Sequence, residues 1–224
     1  PGPVESGGDF SWPLVDLLVW GFLTTYLQKT AGGGFPTSIT FLIGGMILWD
    51  VLFRGQLCVS LTFVEEMYAR NLANLFVSPL RFAEFVTGQI VLSALRALIG
   101  VGGACLFAWL LFHYSIFSLG FPLIAYFALL LAFGWAIGLA VSGMILRWGL
   151  GAEELAWAAV FLVAPVSGVY YPIAVLPPWL QSVALALPSA HVFEGMRSVL
   201  LDGQFRWDHL LWAAGLNVVY VALG

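Results

Sequence analysis

The feature that most constrains this chain is its division into apolar runs about as long as a bilayer is thick, parted by short polar connections. A spanning helix needs roughly 20 predominantly apolar residues. Runs of that order cover residues 10–27, 39–64, 85–112, 121–146 and 155–171, and a sixth begins at Leu210 and is cut at Gly224. The composition points the same way, with 61% hydrophobic and 9% charged residues, against about a quarter charged in an ordinary soluble domain. The 8 basic and 12 acidic side chains cannot furnish a water-facing shell for 224 residues, so lipid must cover much of the surface. The expected fold is an all-α integral membrane protein with six transmembrane helices in one domain, 1–224. An even number of spans leaves both ends on one side.

The connections differ in character. Residues 65–84 form the most polar stretch, in which Met67, Leu72, Leu75 and Phe76 recur at near-helical spacing opposite Glu66, Arg70 and Asn74. That is the pattern of a short amphipathic helix, ended before Pro79. Residues 113–120 make a short loop, and 147–154 a second polar connection. The stretch after Tyr171 is apolar but interrupted by Pro172, Pro177, Pro178 and Pro188, which no uninterrupted spanning helix tolerates. It predicts two short helices that dip into the membrane and return, an arrangement stable only where protein or a water-filled cavity covers the backbone. In the fourth run Gly134, Gly138 and Ser142 recur every four residues, which lets another helix approach closely. The chain opens with Pro-Gly-Pro and stops inside an apolar run, so both ends are expected to be fragment boundaries.

Four charges fall inside predicted spans: Asp16 in the first, Asp50 and Arg54 in the second and Arg96 in the third. Asp50 and Arg54 share one helix face four residues apart and are expected to pair. Counted at about 1.5 Å per residue, Asp50 lies roughly 20 Å from Glu65 and Arg96 roughly 18 Å from Glu84, so Arg96 is expected to reach Asp50 across the hairpin. Two readings stay open: a polar lining or gate for a translocation cavity, or a clamp that fixes helix packing. Basic residues do not orient the chain, because Arg70, Arg81 and Arg147 on one face balance Lys29, Arg197 and Arg206 on the other.

Several chemistries lack their residues. No G-x-x-x-x-G-K-[ST] phosphate loop is present, since Gly32–Gly34 lead into Phe35 and Pro36, so the chain itself is not expected to hydrolyse ATP. His113, His191 and His209 are isolated in sequence from one another and from Cys58 and Cys105, so no metal site is expected. Ser142 and Ser167 lack the first glycine of a nucleophile elbow. Net charge is -4 without a basic stripe, which excludes nucleic acid as a partner.

Two segments carry a resemblance. In the first, Glu65 and Glu66 close the second span, Asn71 and Leu72 fall in the short helix, and Ser78 and Pro79 precede a third span that begins with Glu84 and Gly88. In the second, Ser167, Gly168, Tyr171, Pro172, Leu176 and Pro177 are followed by Leu187, Pro188, Glu194, Gly195, Arg197 and Gly203. Together they resemble the type 2 ABC transporter permeases, membrane subunits of bacterial exporters. The resemblance implies a multi-pass homodimer in the bacterial inner membrane, served by two separate ATP-binding-cassette ATPase subunits that hold ATP and magnesium. The 65–84 segment, with Glu65, Glu66, Arg70, Asn71, Leu72, Ser78 and Pro79, would then be the cytoplasmic coupling helix between spans 2 and 3. Residues 172–206, with Tyr171, Pro172, Leu176, Pro177, Pro188, Glu194, Gly195 and Arg197, would be re-entrant helices between spans 5 and 6 that close the exit. The family normally begins with an interfacial amphipathic helix, which residues 1–9 do not show.

The expected function is export of an amphipathic or hydrophobic cargo, a drug, lipid or lipid-linked glycan, by alternating access along a path lined by the first, second and fifth spans. An ion-gradient-driven secondary transporter is the alternative; that class often shows paired broken helices, and one broken region is present here.

Overall fold

The structure is a computed structural model that describes residues 36–69, 77, 81–112, 120–149 and 154–223. The predicted first span and Arg70, Asn71, Leu72, Ser78 and Pro79 lie outside the described residues. Among those described the fold is all-helical: α1 (Pro36–Tyr68), α2 (Phe82–Phe112), α3 (Phe121–Trp148), α4 (Glu154–Val166), α5 (Pro178–Leu185), α6 (Pro188–Asp202) and α7 (Trp207–Leu223). Three of these are long and apolar enough to cross a membrane, over Leu42–Tyr68, Ala83–Leu111 and Phe121–Trp148.

Those three match the predicted second, third and fourth spans to within a few residues, because each is free of interior proline and ends at a chemical signal. Arg81 opens α2: the Glu84 carboxylate accepts a hydrogen bond from the Arg81 backbone N–H at 3.0 Å, the acidic half of a capping box. Gly149, at φ +80°, closes α3 by donating its N–H to the Ile145 carbonyl at 2.8 Å.

The predicted fifth span is corrected. Its helix, α4, is 13 residues long and stops at Val166 rather than Tyr171, about 20 Å against a hydrocarbon core of about 30 Å. Pro165 lies in its last turn and Gly168 adopts φ +67°, a left-handed conformation that turns the chain away from the helix axis. Beyond it the prolines set helix starts: after a 3-10 turn over Ile173–Val175, Pro178 opens α5 and Pro188 opens α6, the position where a missing N–H costs nothing. Gly203, at φ +65°, ends α6. The two short helices expected from the sequence are therefore present. They form a hairpin whose junction, at the Ala186 carbonyl, accepts a hydrogen bond from Tyr220 Oη at 3.3 Å, far along α7 from its start at Trp207.

Helix α1 is the centre of the bundle. It packs most heavily on α3 and next on α2, while α7 packs on α3 and α6. The α1–α3 seam is built on glycine, with Gly55 of α1 against Leu131 and Gly134, and with Gly134 and Gly138 against the α1 backbone from Leu52 to Gln56. In lipid, where apolar side chains gain nothing by leaving the solvent, such close approach is what holds helices together. The small-residue repeat read from the sequence thus serves packing within the chain; Ser142 turns its Oγ back to the Gly138 carbonyl at 2.7 Å. Helix α2 meets α1 through the buried Ala97, Ala104 and Ala108 and exposes Leu95, Leu98, Ile99 and Leu106 on its other side, as a lipid-facing helix does.

Candidate functional site

One stripe of α1 is left uncovered by α3. Asp50, Arg54, Cys58, Thr62 and Glu65 follow at spacings of three and four residues and line a partly open cavity of about 190 Å³, a groove about 22 Å long by helix rise. Arg96 of α2 forms one wall and Trp157 of α4 the other, with Phe53 and Leu57 between them; the Phe53 and Trp157 rings lie 6.1 Å apart. The groove is therefore amphipathic, with charges toward α2 and aromatic surface toward α4.

Asp50 and Arg54 pair as the spacing implied, with Arg54 Nε donating to Asp50 Oδ2 at 2.6 Å and both side chains at most 16% exposed. Arg54 lies flat against α2, because a β-carbon on Gly100 would come within 2.5 Å of its Nε. Gly100 is what lets the guanidinium fit between the helices. The expected reach of Arg96 to Asp50 is corrected: Arg96 lines the same cavity but points Nη1 at Cys58 Sγ, 3.9 Å away. The reason is register. The antiparallel pairing sets Gly100 beside Arg54, so Arg96, one turn earlier on α2, falls beside Cys58, two turns from Asp50 on α1. Depth counting put the two side chains at one level and missed an offset of roughly 12 Å along the axis.

Sequence reasoning also missed the polar link between α1 and α4. Gln56, fully buried, donates its Nε2 to the Ala156 carbonyl at 3.0 Å and lies 3.2 Å from Ser60 Oγ, while its Oε1 has no partner among the described residues. A glutamine within a spanning stripe was the available signal; its partner, a backbone carbonyl of the next helix but two, carries none.

The residues of the second motif assemble a different structure. Arg197, 8% exposed, donates to Glu194 Oε1 at 2.5 Å and to the Gly168 carbonyl at 2.9 Å. The same Glu194 oxygen accepts the Ile173 N–H at 2.8 Å. This clamp fixes the turn after α4 onto α6. It is reinforced by Ser167 and Ser189, whose hydroxyls are 2.7 Å apart, and by Tyr171 Oη donating to the Pro165 carbonyl at 2.5 Å. Gly195 admits Tyr126 of α3, whose hydroxyl would lie 2.8 Å from any β-carbon there. Pro172 and Pro177 flank the 3-10 turn, and Leu176 at its end accepts a hydrogen bond from Gln181 Nε2 at 2.7 Å. Pro188, buried, starts α6.

At the opposite end of the bundle Glu65 is exposed and Glu66 partly so, both in the last turn of α1, and Glu84 stands in the first turn of α2. Among the described residues this end of the α1–α2 hairpin carries three carboxylates and one guanidinium, that of Arg81.

The described helices form an apolar bundle with a charged groove and a proline-partitioned connector. The chain belongs to the ABC-2 type transporter family, whose profile matches residues 9–201. It is similar to ABC transporter G family member 20 of Dictyostelium discoideum, with 28% identity over 189 residues that make up 83% of this chain and 26% of that relative. The chain thus spans about a quarter of the relative's length. It is a membrane protein of a transporter family.

Proposed function

We propose that this chain is the permease of an ATP-driven exporter, a homodimer in the bacterial inner membrane that works with two ATP-binding-cassette ATPase subunits. Membership of the ABC-2 type transporter family over most of the chain carries this reading. The given sequence has no phosphate loop, and ATP and magnesium are assigned to the ATPase subunits. Six spans follow from the predicted first run, α1, α2, α3, α4 with the turn after it, and α7. The α5–α6 hairpin is the re-entrant exit gate; its junction beside Tyr220 supports that assignment.

Cargo is an amphipathic or hydrophobic molecule, moved out of the cytoplasm along the α1 stripe between Asp50 and Glu65. The groove's mixture of charged and aromatic walls supports this cargo class. ATPase closure is transmitted through the 65–84 segment, where Glu65 and Glu66 join Arg70, Asn71, Leu72, Ser78 and Pro79. Alternating access then requires a two-state rearrangement, here a rigid-body rotation of one subunit against the other that both ATPase engagement and cargo bias.

Co-purification with the candidate ATPase tests this. A complex is expected to form, and the E65A/E66A double variant is expected to retain ATP turnover while transport per ATP falls about tenfold, the size of a typical coupling free energy. Failure of any ATPase to bind in any nucleotide state would overturn the coupling role of this segment.

A further inference from the structure

Among the described residues the groove holds one charge that no carboxylate answers. Arg96 lies about 21 Å from the start of α2 at Phe82 and about 24 Å from its end at Phe112, so its side chain cannot snorkel to either surface. An ionised group at that depth needs a counter-charge or water. Among the described residues Arg96 has one hydrogen-bond partner, the Cys58 thiol at 3.9 Å, a weak acceptor for a five-donor guanidinium. Arg54, on the α1 floor of the groove, packs on Gly100 one turn from Arg96, and the nearby carboxylate, Asp50, is bonded to Arg54 at 2.6 Å. Among the described residues this level of the groove holds two guanidiniums and one carboxylate. Glu65 is seven residues beyond Cys58 and about 10 Å further toward the α1 terminus.

We propose that this part of the groove is a recognition site for the acidic headgroup of an amphiphile, with Arg96 as its anchor. A phosphate or carboxylate accepts from a guanidinium in the bidentate geometry that makes such pairs strong. A cavity of about 190 Å³ takes such a headgroup and not its tail. Leu92 and Ile99, one turn to either side of Arg96, are 40% and 57% exposed, so the tail lies along the outer face of α2, in the lipid. The assignment rests on the proposed transport function and narrows its cargo to acidic amphiphiles.

The test uses the full-length protein in phosphatidylcholine nanodiscs, with dodecyl phosphate as probe and dodecanol as its uncharged counterpart. Dodecyl phosphate is expected to bind at least about tenfold more tightly than dodecanol, the equivalent of one charge-assisted hydrogen bond. It is also expected to slow alkylation of Cys58, followed by mass spectrometry of the peptide that contains it, while dodecanol does not. R96Q removes the preference, R96K retains part of it, and R147Q, which changes an exposed arginine at the end of α3, leaves it intact. Equal binding of the two probes, or dodecyl phosphate binding without protection of Cys58, overturns the assignment even if R96Q fails to fold. The two proposals separate cleanly: ATP-driven movement of neutral amphiphiles without a phosphate preference removes the headgroup site alone. Phosphate binding with Cys58 protection, in a complex that moves no amphiphile, upholds the site and removes the exporter.

Discussion

Gly134→Val is expected to prevent stable assembly of the bundle. A β-carbon at this position would stand 2.7 Å from the Leu52 carbonyl oxygen and 3.1 Å from the Gln56 nitrogen, and neither is the movable end of a side chain. Both belong to the backbone of α1, so the two most extensively paired helices would have to separate along their length. Overpacking a close-packed interior costs about 1–3 kcal/mol where side chains can yield, and here the strain falls on backbone, so a loss of at least about 3 kcal/mol is expected. Gly143→Ala, on the same helix but with nothing within 4 Å, is the control and should be neutral. Thermal unfolding in detergent distinguishes them: a large drop in midpoint or complete aggregation for the first, and no change for the second. Equal midpoints would mean that α3 does not seat on α1 through glycine.

Arg197→Ala is expected to be nearly as damaging. It strands the Gly168 carbonyl and deprives Glu194 of its cation while the Ile173 N–H still holds that carboxylate in place. Removing one partner of a buried ion pair costs about 3–5 kcal/mol, most of it from the uncompensated charge left behind. The double variant E194Q/R197M removes both charges and is expected to recover much of the loss. Arg206→Ala breaks an ion pair with Asp208 whose side chains are 55% and 53% exposed, and it should leave the unfolding midpoint nearly unchanged. The contrast reports what the second motif is for. If Arg197→Ala were as mild as Arg206→Ala, the clamp would not hold the post-α4 turn to α6.

The features legible in the sequence were those set by one helix at a time. Sustained hydropathy marked 39–64, 85–112 and 121–146, and the structure extends each by a few residues. The four-residue spacing of Asp50 and Arg54 gave their pairing directly, because both lie on one helix. Proline placed the starts of α5 and α6. What was lost depended on two elements meeting. The fifth run read as continuous through Tyr171, since nothing in hydropathy reveals the positive φ of Gly168 or that Arg197, 29 residues on, captures its carbonyl. Arg96 was assigned to Asp50 because depth along a helix is readable and the register between antiparallel helices is not. Gln56 reaching the Ala156 carbonyl belongs to the same class: a side chain answered by a backbone group leaves no trace in residue identity.

Transport into inverted membrane vesicles that hold the full-length protein with its candidate ATPase tests the proposed ATP-driven export. A fluorescent-tailed amphiphile with an acidic headgroup is expected to accumulate only with hydrolysable ATP, and to keep accumulating after ionophores collapse the proton and sodium gradients. Accumulation that follows the ion gradients and ignores ATP would contradict the account and identify an ion-driven carrier instead.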